Sequence, residues 1–424
     1  MTRPVHRVAP SSDGPIRQDG LRAHNLVLTF RQIAAARDTP ISRSELAVAT
    51  GLTRPTITRI VDELLAAELI VEAGPSRSGS SGRPRVGLSL ARTGPAGLGL
   101  DIRADTLSAC VVDLTGTVRH LEFTRRAATR EGETQQAAGA GREAGARPGE
   151  GPQAVLAGLA EMAHRAIRAA AAENLTVVGA TLAVPGPVQD EAVVRLAPTL
   201  GWRNVAAGAA LTDALGLPAY VGNDARLAAL AEWYAAGQEL RDFICVSGEF
   251  DIGAGLVLDG RQLDGWAGEL GHLMVRSDGP PCVCGATGCL QGYAGLAAIL
   301  GGAVPRETGV SPAVAVDALV SAGDPRILKA LDEAATALGV AIAGLVNLVR
   351  VDTVLLGGGY SLLASWLIDG IDRELRGRVL STAWSPVEVR PAPLGPDAAV
   401  IGAALSSVDR VRHDPNGWLA RIPR

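Results

Sequence analysis

Lysine is almost missing from this 424-residue sequence: Lys329 is the single one, and arginine supplies the other basic side chains. That bias reflects a GC-rich genome rather than a function. Cysteine is scarce as well, with five residues in all, which excludes a disulfide-framed secreted fold and fits a reducing compartment. Although 47% of the residues are apolar, no apolar run approaches the roughly 20 residues that a membrane helix needs. Charged and polar residues interrupt the start throughout, so no signal peptide is expected. These absences leave a cytoplasmic protein without a membrane partner, long enough for two or three domains.

Charge is unevenly spread. Residues 1–92 carry 13 Arg against 8 Asp and Glu, a balance of +5; the whole chain is −4, so the remainder is −9. A basic front on an acidic body suggests that the front meets a polyanion.

Residues 1–18 read as a loose tail. From residue 19, Leu21, Leu26, Leu28, Phe30 and Ile33 fit an amphipathic helix ending near Arg37. Ser42-Arg-Ser-Glu45 has the form of a capping box, and the short helix it opens stops at Gly51. Thr53 caps a further helix with Pro55 in its first turn, running through Ile57, Ile60, Val61, Leu64 and Leu65. Two helices around a glycine turn form a helix-turn-helix pattern. Its exposed positions would be Arg54, Thr56, Thr58 and Arg59, with Arg43 on the preceding helix. Such side chains suit base edges and phosphates. Two strand-like runs, Leu69–Ala73 and Val86–Leu90, flank a Gly/Ser/Arg loop, the outline of a wing. Arg83 and Arg85 in that loop could lie along a minor groove or phosphates. The expectation is a winged helix-turn-helix over residues 19–92 that binds double-stranded operator DNA; a plain helical hairpin is the blander alternative.

Two later motifs carry chemistry. Cys282, Cys284 and Cys289 follow His272 closely, and Cys-x-Cys-x4-Cys with a histidine supplies three thiolates and one imidazole. That set suits a closed, structural tetrahedral zinc site, and Gly285 and Gly288 let the loop fold back. Chance core cysteines are the alternative, and Cys110 and Cys245, in apolar strand-like runs, read that way. The second motif is Ala219–Ala225, where a short strand delivers Asn223 and Asp224 to the start of a helix. Ligands of open α/β sheets bind at such strand ends. An Asp there can act as general base on a ligand hydroxyl, and an Asn can bond adjacent polar groups. Read alone, Asn-Asp before a helix is an N-cap.

Glu269-Leu-Gly-His272 followed by Cys282-Val-Cys-Gly-Ala-Thr-Gly-Cys-Leu290 resembles the signature of the ROK family of repressors, open reading frames and sugar kinases. Residues 20–90 resemble the DNA-binding domain of its repressors. The resemblance implies an actin-like, two-lobed ATPase fold behind the winged head. The first lobe would span 93–218, with a low-complexity insertion at 127–152, and the second 219–396; a closing helix at 397–410 would return to the first lobe. It also implies sugar contacts from Asn223, Asp224, Glu269 and His272, with His272 shared by zinc. Gln291 departs from the family's usual Glu; a glutamine still bonds hydroxyls but adds an N–H donor, which would alter sugar choice or weaken binding.

The phosphate-binding turns also depart from the family. Where Asp-x-Gly-x-Thr is usual, this chain has Asp101-Ile-Arg-Ala-Asp105, so Arg103 or Ala104 replaces the glycine. The second turn, normally Gly-Thr-Gly-x-Gly, becomes Ser247-Gly-Glu-Phe-Asp-Ile-Gly253. Side chains and extra carboxylates are unfavourable where phosphate oxygens should sit. The expected protein is therefore a sugar-responsive transcriptional regulator, by resemblance a repressor and a homodimer or homotetramer, that binds a sugar without phosphorylating it. An active ATP-dependent sugar kinase with a DNA-binding head is the alternative. A third reading is a regulator whose pocket answers to a partner protein.

Overall fold

A computed structural model describes residues 18–36, 39–76, 85–126, 151–237, 239–263, 268–302 and 310–421. The low-complexity stretch assigned to 127–152 falls outside these residues up to 150, as does Arg83. The chain divides into two compact units, Met1–Ala91 with Arg410–Arg424, and Arg92–Asp409.

In the smaller unit, the helix Gln18–Ala36 buries Leu26, Phe30 and Ile33 on one face. The capping box forms: the Glu45 N–H donates to Ser42 Oγ at 3.3 Å, and the Ser42 N–H donates to Glu45 Oε2 at 2.8 Å. The helix it opens, Arg43–Thr50, ends on Gly51 in the left-handed region, φ 71°. Thr53 caps Arg54–Ala66, whose Ile57, Ile60, Val61 and Leu64 are buried at helical spacing. The strands Ile70–Ser76 and Arg85–Leu90 pair antiparallel, and Ile41–Ser42 adds a short third strand. One feature was not expected from the sequence. The last helix, Asn416–Leu419, belongs to this unit, and Trp418 Nε1 donates to the carbonyl of Ala67 at 2.9 Å. That carbonyl stands at the end of Arg54–Ala66, where backbone acceptors lack an intrahelical donor.

The larger unit contains two five-stranded sheets. In the first, the order is Ala219–Asn223, Leu175–Val184, Gly94–Ile102, Thr106–Asp113, Val118–Arg125. The strand Ala219–Asn223 pairs parallel with Leu175–Val184. It therefore extends the first sheet, which corrects the expectation that the second lobe starts at 219. The central strand explains the packing by alternation. Ala96, Leu98, Leu100 and Ile102 share a core with the helix Pro152–Ala172. On the other face, Gly97 and Gly99 leave room for the helix Ala398–His413: an added Cβ would lie 2.2 Å from the carbonyl oxygen of Ala404 and 2.1 Å from that of Val400. Any side chain there would push the helix off the sheet.

The second sheet runs Arg261–Gln262, Ile252–Leu258, Phe243–Gly248, Thr353–Gly358, Glu388–Pro391. Among the described residues, the helix Pro325–Leu348 is long and apolar enough, by length and composition alone, to cross a membrane. Its Leu331, Ala334, Leu338 and Ile342 are instead buried in a core with Ile244, Val246 and Leu356. It is the core helix of this lobe.

Candidate functional site

A cleft within the larger unit is lined by Asp101, Arg103, Asn223, Asp224, Glu249, Asp251 and Glu269, among others. All but Glu269 sit at the end of a strand or in the turn that follows, and Glu269 stands directly before the short helical turn Leu270–His272. Asn223 ends its strand and caps the next helix: its Oδ1 accepts from the Arg226 N–H at 3.0 Å, while its Nδ2 donates to the Gly186 carbonyl at 3.2 Å. The capping function and the cleft position coexist in one residue. Asp224 accepts from the Ala225 N–H at 2.7 Å. Burial, followed by the charges of Asp101, Asp251 and Glu269, holds its carboxyl well above the usual range. Burial and then Asp251 push Glu269 up to about 7. Asp251 is raised by burial even though the Thr199 hydroxyl donates to its Oδ2 at 2.6 Å.

The remaining expected sugar residues fall elsewhere. His272 closes the short turn Leu270–His272 and is not among the cleft-lining residues. Gln291 does not line the cleft either. Its carboxamide is engaged in bracing the neighbouring turn: Oε1 accepts from the Ile252 N–H at 2.9 Å and Nε2 donates to the Phe250 carbonyl at 2.7 Å. A carboxylate at 291 could not make the second bond.

His272, Cys282, Cys284 and Cys289 converge, with their ligand atoms within 4.8 Å of one another. Cys284 and Cys289 place their sulfurs 3.7 Å apart, and His272 Nδ1 lies 3.6 Å from Cys282 Sγ. A tetrahedron with metal–sulfur bonds of about 2.3 Å has edges of roughly 3.8 Å, so the donor set fits a tetrahedral ion of that size. Gly288, at φ 71°, makes the turn possible; an added Cβ would lie 1.6 Å from the Arg276 carbonyl oxygen.

The turn where a phosphate-binding glycine was expected holds a built ion pair. Arg103 Nε donates to Asp101 Oδ2 at 2.8 Å, and its Nη2 donates to the Pro396 carbonyl. Asp101 is 1% exposed, and among the described residues its Oδ1 has no hydrogen-bond partner. Burial pushes Glu249 up to about 7, partly offset by Arg103. The glycines at 357–359 have packing reasons: a Cβ on Gly359 would meet Ala313 at 2.8 Å, and one on Gly357 the sulfur of Cys245 at 3.1 Å.

Of the residues expected to face DNA, Arg54, Thr58 and Arg59 are exposed. Thr56 is half-buried, a correction, because its hydroxyl packs 2.9 Å from that of Thr53 at the helix start. Thr58 donates back to the Arg54 carbonyl at 3.0 Å. Arg43 pairs with Glu72 at 2.9 Å and with Asp62 at 3.6 Å. The side chain of Arg85 lies outside the described residues.

Asp251 was not singled out as a ligand contact from sequence, nor was Glu232. Glu232 is fully buried and accepts the Leu394 N–H on both oxygens, at 3.0 and 3.3 Å. Burial pushes it up to about 7. A lone Glu among the alanines and leucines of its helix was the available signal.

Two α/β lobes with strand ends facing a shared cleft define the actin-like fold of sugar kinases. The ROK family profile matches residues 98–409, and the chain belongs to the ROK family. It is similar to the xylose repressor of Bacillus subtilis (strain 168), 25% identical over 382 residues that cover 88% of this chain and 92% of that one. A crystal structure of a ROK family transcriptional regulator, a homologue of the E. coli MLC protein, superposes with a TM-score of 0.70 at 27% identity, covering 92% of this chain and 98% of that one. A ROK family glucokinase from Streptomyces griseus, in complex with glucose and AMPPNP, follows at a TM-score of 0.58 and 25% identity, covering 73% of this chain and 98% of that one.

Proposed function

We propose that the protein is a sugar-responsive, DNA-binding transcriptional repressor of carbohydrate genes, acting in the cytoplasm as a homodimer or homotetramer. The observation that carries the reading is the Arg103–Asp101 pair in the cleft, together with the similarity to repressors along nearly the whole chain. Phosphoryl transfer needs backbone N–H groups and cations around the phosphates. Here the corresponding guanidinium is committed to a carboxylate and a carbonyl, and Glu249 adds negative charge beside it. The cleft thus serves as a sensor rather than an active site.

In this reading Asn223, Asp224 and Glu269 hold the sugar hydroxyls. His272 would join Cys282, Cys284 and Cys289 in holding a structural zinc, which orders the segment that carries Glu269. The smaller unit is a winged helix-turn-helix, and Arg54, Thr58 and Arg59 meet the operator. Sugar binding shifts the population toward a form with lower operator affinity. Differential scanning fluorimetry of the zinc-loaded protein against a sugar panel, with and without Mg-ATP, tests the reading. Stabilisation by a sugar and not by Mg-ATP is expected; stabilisation by Mg-ATP would overturn it.

A second reading, an active sugar kinase with a DNA-binding head, draws on Asp224, which keeps the place and the raised pKa of a general base. ATP-dependent phosphorylation of a hexose that is lost in Asp224→Asn would establish it.

A further inference from the structure

The charge and hydrogen-bond inventory of the cleft restricts what it can bind. Among the described residues, five carboxylates line it, Asp101, Asp224, Glu249, Asp251 and Glu269, against one cationic side chain, Arg103. Several of the donors in the lining are engaged within the protein. Arg103 gives one N–H to Asp101 and one to the Pro396 carbonyl. The Thr199 hydroxyl goes to Asp251 and the Asn223 amide to Gly186. Among the described residues, Asp101 Oδ1 is buried without a hydrogen-bond partner. The matching ligand brings donors and positive charge and adds few acceptors.

We propose that the effector is an amine-bearing sugar, held through its ammonium by Asp251 with Asp224 and Glu269, and that Asp251 is the residue that sets this preference. The inference rests on the sensor reading above. An ammonium offers three donors, no acceptor and a full charge, whereas each ring hydroxyl offers one donor. A phosphate or carboxylate on the sugar brings negative charge to a site whose carboxyl groups already raise one another's pKa. Asp251 is central because it acts electrostatically on Asp224 and Glu269 and receives the Thr199 hydroxyl, so its carboxylate is fixed in place. Burial has already raised these acids, and a bound cation relieves the cost of ionising them.

The test is isothermal calorimetry at pH 7 on the full-length, zinc-loaded protein. The probes are glucosamine, glucose, N-acetylglucosamine and glucose 6-phosphate, with magnesium chloride alone as a separate titrant. Charge-assisted hydrogen bonds are roughly twice as strong as neutral ones, so glucosamine is expected to bind about tenfold more tightly than glucose. Acetylating the amine should remove that advantage, and glucose 6-phosphate should bind worst. Asp251→Asn keeps the shape and an acceptor for Thr199, and the glucosamine-to-glucose ratio should fall toward one. Glu269→Gln, the second variant should Asp251→Asn fail to fold, should lower the ratio in the same direction. Equal or tighter binding of glucose, tight binding of glucose 6-phosphate, or an unchanged ratio in the folded variants would overturn this inference and leave the sensor reading standing. Saturable magnesium binding that competes with glucosamine would also overturn it, by assigning the charge surplus to a metal ion. Binding by none of the sugars would overturn both.

Discussion

Replacing Arg103 with alanine tests whether the cleft's ion pair is a structural unit. The side chain of Arg103 is 20% exposed and that of Asp101 1%, so the partner left behind is a carboxylate in a nearly dry site. Breaking a buried pair in this way costs about 3–5 kcal/mol, mostly from the uncompensated charge. For a unit of this size that corresponds to a fall in Tm of roughly 4–8 °C. The sign of the pH dependence follows from Asp101. Burial raises its pKa in the folded protein in spite of Arg103, and removing Arg103 raises it further. The folded state then disfavours the charged form, so the penalty is present at neutral pH and fades as pH falls through the folded pKa and the carboxyl takes up a proton. Arg103→Ala should therefore be far less stable than the native protein at pH 7.5, and the gap should narrow at pH 5. In the double variant with Asp101→Asn most of the loss should be recovered. Thermal melts of the four proteins at both pH values decide it. A loss below about 1 kcal/mol, within the range of exposed pairs, or one that grows toward pH 5, would refute the argument.

Three further outcomes follow from the same geometry. Cys289→Ala should abolish stoichiometric zinc in metal analysis of the purified protein and weaken sugar binding, because the segment after Glu269 loses its anchor. Ser42→Ala removes one half of the capping box and should destabilise the smaller unit by about 1 kcal/mol in urea unfolding. Arg59→Ala should weaken DNA binding and lower its salt dependence, read by fluorescence anisotropy at several salt concentrations, while leaving the melting temperature within a degree or two.

What could be read from the sequence was set by local spacing. Ser42 and Glu45 announce a cap because three residues of helix bring them together, and Thr53 with Pro55 marks the next start for the same reason. The cysteine spacing likewise brings three sulfurs together within one turn, and His272, expected from the sequence as the fourth donor, lies with them. Three cases illustrate what spacing cannot convey. Asn223 and Asp224 were recognisable as a pair, but the sheet their strand joins depends on pairing with residues some forty positions earlier. Gln291 sits where a ligand contact is expected, yet its amide turns to the Phe250–Ile252 backbone, a choice set by tertiary packing. Arg103 was legible as an intruder in a glycine turn, but its bond to Pro396 links positions 293 residues apart. Trp418 and Ala67 are a fourth such case, since nothing near either residue points to the other.

The central claim, that sugar binding in the larger unit governs DNA binding by the smaller one, is tested most directly by titrating sugar into a preformed complex with a fluorescent operator fragment. The account predicts that a sugar which binds the free protein lowers the anisotropy, and that Asp224→Asn blocks the response while operator affinity without sugar is kept. A sugar that binds saturably by calorimetry but leaves operator affinity unchanged would contradict it.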